Sequence, residues 1–309
     1  MPYIHGMSVL FGQRETKAFL HDCGLADIAA TLPAPSEESG LRALLPGANL
    51  RRISPIGRLA LHSACLALGQ AESGLPLPDA VGEKTGLYIG TAFGDMGATF
   101  SYIGGIMRDG AQLASPTMFS HSISNVFCGL VGMALNIQGP GSTVCQFGLS
   151  FAGALQTAIT DLALAGIEYA LVGAVEQACP DLPPIYEQAV RQGSAVPAAR
   201  PPQEDCAVFF LLGPDLPDRP DRRPVSISIH WGEPAGPVPG AEQESCRPET
   251  SSGRHGNCLY SGHPSRQALD TALYAAMLRH GHLPSKRAAC RYQEPFWHAE
   301  ATIILEQSE

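Results

Sequence analysis

The run Gly139–Leu155, GPGSTVCQFGLSFAGAL, is where residue types and spacing come nearest to chemistry. GPGSTVCQF reads as a turn followed by a short buried strand. LSFAGALQTAITDLALAG then repeats apolar residues at helical spacing, at Leu149, Ala152, Leu155, Ile159, Leu162 and Leu164. A sharp strand-to-helix corner favours a nucleophile, because the unbonded N–H groups of the first helical turn stabilise a thiolate or an oxyanion. The residue at this corner is Gly148, which has no side chain to attack with. Cys145 lies three residues earlier, inside the expected strand, and is expected to point into the core rather than at the helix N-terminus. His263, in SGHPSRQAL, stands at the start of an expected helix, where a histidine is more often a cap or a packing residue than a catalyst.

The elements that must position these residues follow from pattern. Met1–Leu10 reads as a first strand. Arg51–Ala71 reads as an amphipathic helix that starts at Ser54-Pro55. Thr85–Phe93 is a strand that ends in small residues. The GDMGATFSYIGGIMRDG that follows is glycine-rich but lacks the layout of a dinucleotide site. Glu168–Pro180 and Glu204–Leu212 read as buried strands, and 183–202 between them as a loop rich in Pro and Ala. After a linker at Gly213–Arg223, Val225–Trp231 alternates as a strand. Gly232–Gly256 is polar and aperiodic. Cys258–Pro284 contains a helix, and Phe296–Gln307 closes the chain as a strand.

The chain has 309 residues, enough for a sizeable core. Hydrophobic residues make up 45% and charged residues only 16%, so much of the surface is neutral or covered by a partner. The net charge of −9 argues against nucleic acid or an anionic membrane as partner. No secretory signal is expected in MPYIHGMSVL. No membrane span is expected either, because the longest apolar run, Leu162–Val175, is short and has Asp161 and Glu168 at or near it. The nine cysteines form no CxxC pair, which disfavours a zinc site and suits reduced thiols in a cytoplasm.

The run Gly139–Leu155 resembles the active-site segment of the β-ketoacyl synthases, the condensing enzymes of fatty acid and polyketide assembly. Gly139, Pro140, Thr143, Val144, Ala154 and Leu155 match its pattern without a gap, and the family's cysteine falls on Gly148. Further matches follow in order. Gly86, Ile89, Gly90 and Thr91 resemble the GVVIGT strand. Ser115, Pro116, Asn125, Gly129 and Ala134 resemble the segment that lies at the dimer interface and lines the acyl tunnel. Gly173 and Glu176 resemble the LVGGxE strand, and Gly262-His263 the GH of the second catalytic histidine, with Cys258 where the family has lysine. No HGT motif supplies the first histidine.

The resemblance implies a thiolase-like α/β fold of α-β-α-β-α layers with mixed five-stranded sheets. Residues 1–213 form the first half and 214–309 a shortened second half of the same globular unit. It implies a chain-length factor: a subunit without independent activity that pairs with a catalytic ketosynthase and shapes its tunnel. The alternatives are an active acyl-carrier-protein decarboxylase or acyltransferase using His263, and an acyl-binding scaffold that homodimerises. Leu113, Met118, Phe119, Phe127 and Gln146 are then expected at the tunnel and interface, with Met118 or Phe119 blocking the tunnel. Gln146 lies two residues short of the position where related non-catalytic subunits carry glutamine, so it is not assigned that role. No cofactor is implied, and an acyl carrier protein, itself acidic, would dock through a local basic patch.

Overall fold

Strands covered on both faces read as nearly continuous runs of small, apolar and β-branched residues. Thr85–Gly90, Tyr169–Glu176 and Cys206–Gly213 have that composition, and nearly all of their residues are buried. The computed structural model describes residues 1–12, 14, 15, 18, 20, 21, 40–46, 49–69, 74–194, 199–214, 223–232, 263–281, 286–294 and 299–308. The strands are Tyr3–Phe11 (β1), Arg14–Glu15 (β2), Thr85–Gly90 (β3), Gly141–Val144 (β4), Tyr169–Glu176 (β5), Cys206–Gly213 (β6), Val225–Gly232 (β7), Arg287–Glu294 (β8) and Ala299–Gln307 (β9). The helices that matter below are Pro55–Leu68 (α1), Met96–Asp109 (α2), Pro116–Ser122 (α3), Ser124–Leu135 (α4), Ser150–Leu164 (α5), Leu182–Arg191 (α6) and Arg266–Arg279 (α7).

The strand order is β4-β3-β5-β6-β1-β7-β9-β8, with β2 paired to β1. The first five strands form a mixed sheet: β3 is parallel to β4 and β5, and β6 is antiparallel to β5 and β1. The second half adds three antiparallel strands, joined to the first sheet by the single pair Tyr3↔Ser226. The expected five strands are therefore present in the first half, and three in the second among the described residues. α1 and α4 pack over one face of the first sheet around Leu87, Leu171 and Phe209. α5 and α7 pack on the other face around Tyr88, Val172 and Phe210, and carry Ile227, Ile303 and Leu305 of the second sheet on their far side. The order helix, sheet, helix, sheet is that of a thiolase-like fold.

α7 lies between the sheets and is buried along almost its whole length. α5 also lies between them. Phe147–Leu164 is long and apolar enough to cross a bilayer by length and composition alone, but Phe151, Ala152, Ala154, Leu155 and Ala158 are spent on this core. Close approach needs glycine. A Cβ at Gly90 would lie 2.6 Å from the backbone carbonyl carbon of Ser150, so β3 and the start of α5 touch through main chain.

One expectation changes, and two elements appear where none was expected. Residues 182–191 form α6 rather than loop; Pro183 and Pro184 occupy the first turn, where no N–H is needed. The glycine-rich stretch after β3 forms α2, because the Asp95 carboxylate accepts from Ala98 N–H at 2.9 Å and Gly110, at φ +89°, stops the helix. Arg287–Glu294 pairs with β9 as a strand that the pattern did not suggest. Gly232–Gly256 beyond its first residue, Cys258, Gly262, Phe296 and His298 lie outside the described residues.

Candidate functional site

Registers align six residues of the five strands along one end of the first sheet. Val144 pairs with Gly90, Gly90 with Ala174, Glu176 with Cys206, and Cys206 with Phe11. The corner that holds Gly148 leaves β4 at this end. It turns through one short helical turn, Phe147–Leu149, into α5. His263 reaches the same end from the second half: its ring lies edge-on to Phe11 at 5.5 Å, just before α7 begins.

The corner is held together from within. Ser150 Oγ accepts from the Gln146 N–H at 2.9 Å, and the Leu149 N–H donates to the Gln146 carbonyl at 3.0 Å. The Ala152 N–H, a donor of the first turn of α5, is taken by Gln267 Oε1 of α7 at 3.0 Å. Gln146 is exposed, and its Oε1 lies 2.6 Å from where a Cβ on Gly153 would stand, so its amide folds over the start of α5. Phe147 has φ +47°, a left-handed backbone that aromatic residues rarely adopt.

Cys145 corrects an expectation. It is exposed rather than core-facing, because β4 is a four-residue edge strand and its end is uncovered. The sulfur itself is partly shielded, which raises its pKa; the Ser124 hydroxyl opposes this and the nearby Glu176 charge adds to it. The thiol is therefore protonated at neutral pH and poorly nucleophilic. His263 is also not poised as a base. Its Nδ1 accepts from the Ser265 N–H at 3.1 Å, which leaves the proton on Nε2. Burial lowers its pKa to about 4, opposed by a backbone group of Glu204. Among the described residues, Gln267 Nε2 nearby has no hydrogen-bond partner.

Sequence reasoning did not single out Glu176 for a role at the corner. It is 1% exposed at the end of β5, and the N–H groups of Ala92 and Phe93 donate to it. Burial pushes its pKa up to about 8. The turn it holds carries the chain from β3 into α2.

The expected tunnel residues separate. Leu113 is 75% and Phe119 50% exposed, Met118 is half-buried, and Phe127 packs in the core against α1. Exposure here is concentrated. Ile103, Met107, Leu113, Phe119, Ile123 and Met133 all stand open on consecutive elements, and neither α2 nor α3 has a buried residue. α3 and α4 meet at 89° beside β4, which pairs on one side only among the described residues.

Layers, register and corner define a thiolase-like protein with a condensing-enzyme corner. Residues 29–195, more than half of the chain, match the family model for the N-terminal domain of β-ketoacyl synthases. The chain belongs to the β-ketoacyl synthase family. No curated relative matches it. Among solved structures it is similar to the ishigamide ketosynthase/chain length factor, with TM-score 0.69, 16% identity, and 100% of this chain and 99% of that chain covered. It is similar to the AntDE:AntF complex, described as a type II polyketide synthase acyl-carrier protein with its ketosynthase bound to the hexaketide (TM-score 0.71, 10% identity, 99% of each chain). The complex of the ketosynthase ApeO with its chain length factor ApeC from Xenorhabdus doucetiae is similar at TM-score 0.56, 16% identity, and 98% of this chain and 99% of that chain.

Proposed function

We propose that this chain is a ketosynthase-like subunit without a nucleophile that acts as a chain-length factor. It pairs with a catalytic β-ketoacyl synthase in the cytoplasm and shapes that enzyme's acyl tunnel in type II polyketide or fatty-acid-like biosynthesis. An acyl carrier protein serves the complex. The observation that carries this reading is the corner itself. Gly148 stands where an attacking side chain would be, and a first-turn donor of α5 is already bound by Gln267. Condensation needs a thiolate to hold the chain and donors to stabilise the enolate.

The six open apolar side chains support a partner, since a monomer rarely exposes large contiguous apolar patches. The edge of β4, unpaired among the described residues, supports one too. The matched complexes pair ketosynthases with chain length factors and with a carrier protein. The two halves, 1–213 and 214–309, are read as one globular unit because they share a core around α5 and α7.

Co-expression with a catalytic ketosynthase tests the proposal. A one-to-one complex is expected, with the chain poorly soluble alone; a stable, soluble homodimer that ignores the ketosynthase would overturn it. One observation favours a second reading, an acyl-carrier-protein decarboxylase or acyltransferase: His263 lies at the same end of the sheet as the corner, against Phe11. Acyl loading on a cysteine after incubation with acyl carrier protein would favour that reading.

A further inference from the structure

We propose that Phe147 and Phe93 form an aromatic stopper that closes this protomer's own acyl pocket, so that an alkyl chain is housed only on the partner's side of the pair. The inference rests on the reading of the chain as a condensing-enzyme scaffold. Phe147 is the residue directly before Gly148, and its φ of +47° is an outlier for an aromatic side chain. Such strain persists only where the surroundings over-determine it. Here the surroundings do so from three sides. The short turn Phe147–Leu149 is pinned by Ser150 Oγ and by the Gln146 carbonyl, and it packs against β8 and α7 of the second half.

The left-handed backbone sets the ring against Phe93, with centroids 6.2 Å apart and planes tilted by 58°. Phe93 is fixed in turn, because its own N–H donates to the buried Glu176 carboxylate at 3.4 Å and the preceding N–H does likewise. Both rings belong to turns at the end of the sheet where the corner holds Gly148. An alkyl chain that approached Gly148 would have to displace one of them. The polar side of the corner is closed as well, with Gln267 on the Ala152 N–H. A tunnel is apolar and largely preformed, so two locked rings remove it from this protomer without changing the fold.

Decanoic acid is the probe, and its binding stoichiometry is read by calorimetry on the full chain in the complex with which it purifies, or as a homodimer. Wild-type chain is expected to add no site. Phe147→Gly removes the ring and suits the left-handed backbone, and is expected to add one site per copy of this chain. Phe93→Ala opens the same space from the other side and is expected to do the same. It keeps the test decisive if Phe147→Gly fails to fold. A wild-type chain that itself binds one equivalent would overturn the stopper, and so would a folded Phe93→Ala protein that adds none. Because sites are counted per copy of this chain, the result stands apart from the co-expression test: a chain that finds no ketosynthase can still be plugged, and a chain that pairs can be found open.

Discussion

A glycine at the corner leaves nothing to deprotonate, and its neighbours decide whether a restored sulfur could work. In Gly148→Cys the new thiol would face a helix start whose Ala152 N–H is already bonded to Gln267. His263, at the same end of the sheet, is neutral through the physiological range, since burial holds its pKa near 4. Phe147 would crowd the acyl group. We expect Gly148→Cys to give no condensation and no decarboxylation of a malonyl carrier protein above the background of the complex, measured as carbon dioxide release. Turnover by this single variant would refute the view of the corner as a relic. Cys145 shows how exposure and reactivity part: the residue is exposed, yet its shielded sulfur holds its proton.

Between elements, the link from β5 to the turn that launches α2 is Glu176. Its carboxyl keeps its proton to about pH 8 in the fold, against an ordinary value of 4.5. Between those values the folded state binds more protons than the unfolded state, so this group's contribution falls as pH rises. His263 acts in the opposite sense. Its pKa drops from 6.5 to about 4, so the unfolded state holds more protons there and stability rises with pH up to 6.5. The two oppose each other below pH 6.5, and Glu176 acts alone above it. Urea unfolding is therefore expected to report lower stability at pH 8 than at pH 6.5 in the wild type. In Glu176→Gln that loss is expected to be much reduced, because the amide accepts an N–H bond and does not ionise. An equal loss in both proteins would remove Glu176 as the cause.

At the scale of the molecule, the first half holds α2 and α3 away from the core, with no buried residue in either. If a partner covers them, a charge there should break the pair and spare the fold. Met107, 82% exposed, is the cleanest position. Met107→Asp is expected to change the stability of the chain by about 0.5 kcal/mol or less, as exposed sites do. It is expected to weaken pairing with the ketosynthase by roughly tenfold or more, as the loss of an interface anchor does. Phe119→Ala, on the same surface, is expected to shift the products of the assembled complex to longer chains, read by mass spectrometry. Unchanged chain length would remove Phe119 as a stop.

Local pattern was enough for much of this architecture. The strands around Thr85–Gly90 and Tyr169–Glu176, the long helix after the corner and the glycine at the corner, Gly148, are all legible in order along the chain. Composition misled where punctuation residues served an end. Pro183 and Pro184 start α6 in a stretch that reads as a loop, and Asp95 and Gly110 bracket α2 in a stretch marked only by its glycines. Periodicity could not say which of two neighbouring phenylalanines faces the core, and Phe127 does while Phe119 does not. The sequence by itself determined that the residue at the corner is a glycine. Only the tertiary structure decided what meets the corner, because Gln267 and Ala152, 115 positions apart, and Phe93 and Phe147 meet solely through the packing of sheets and helices.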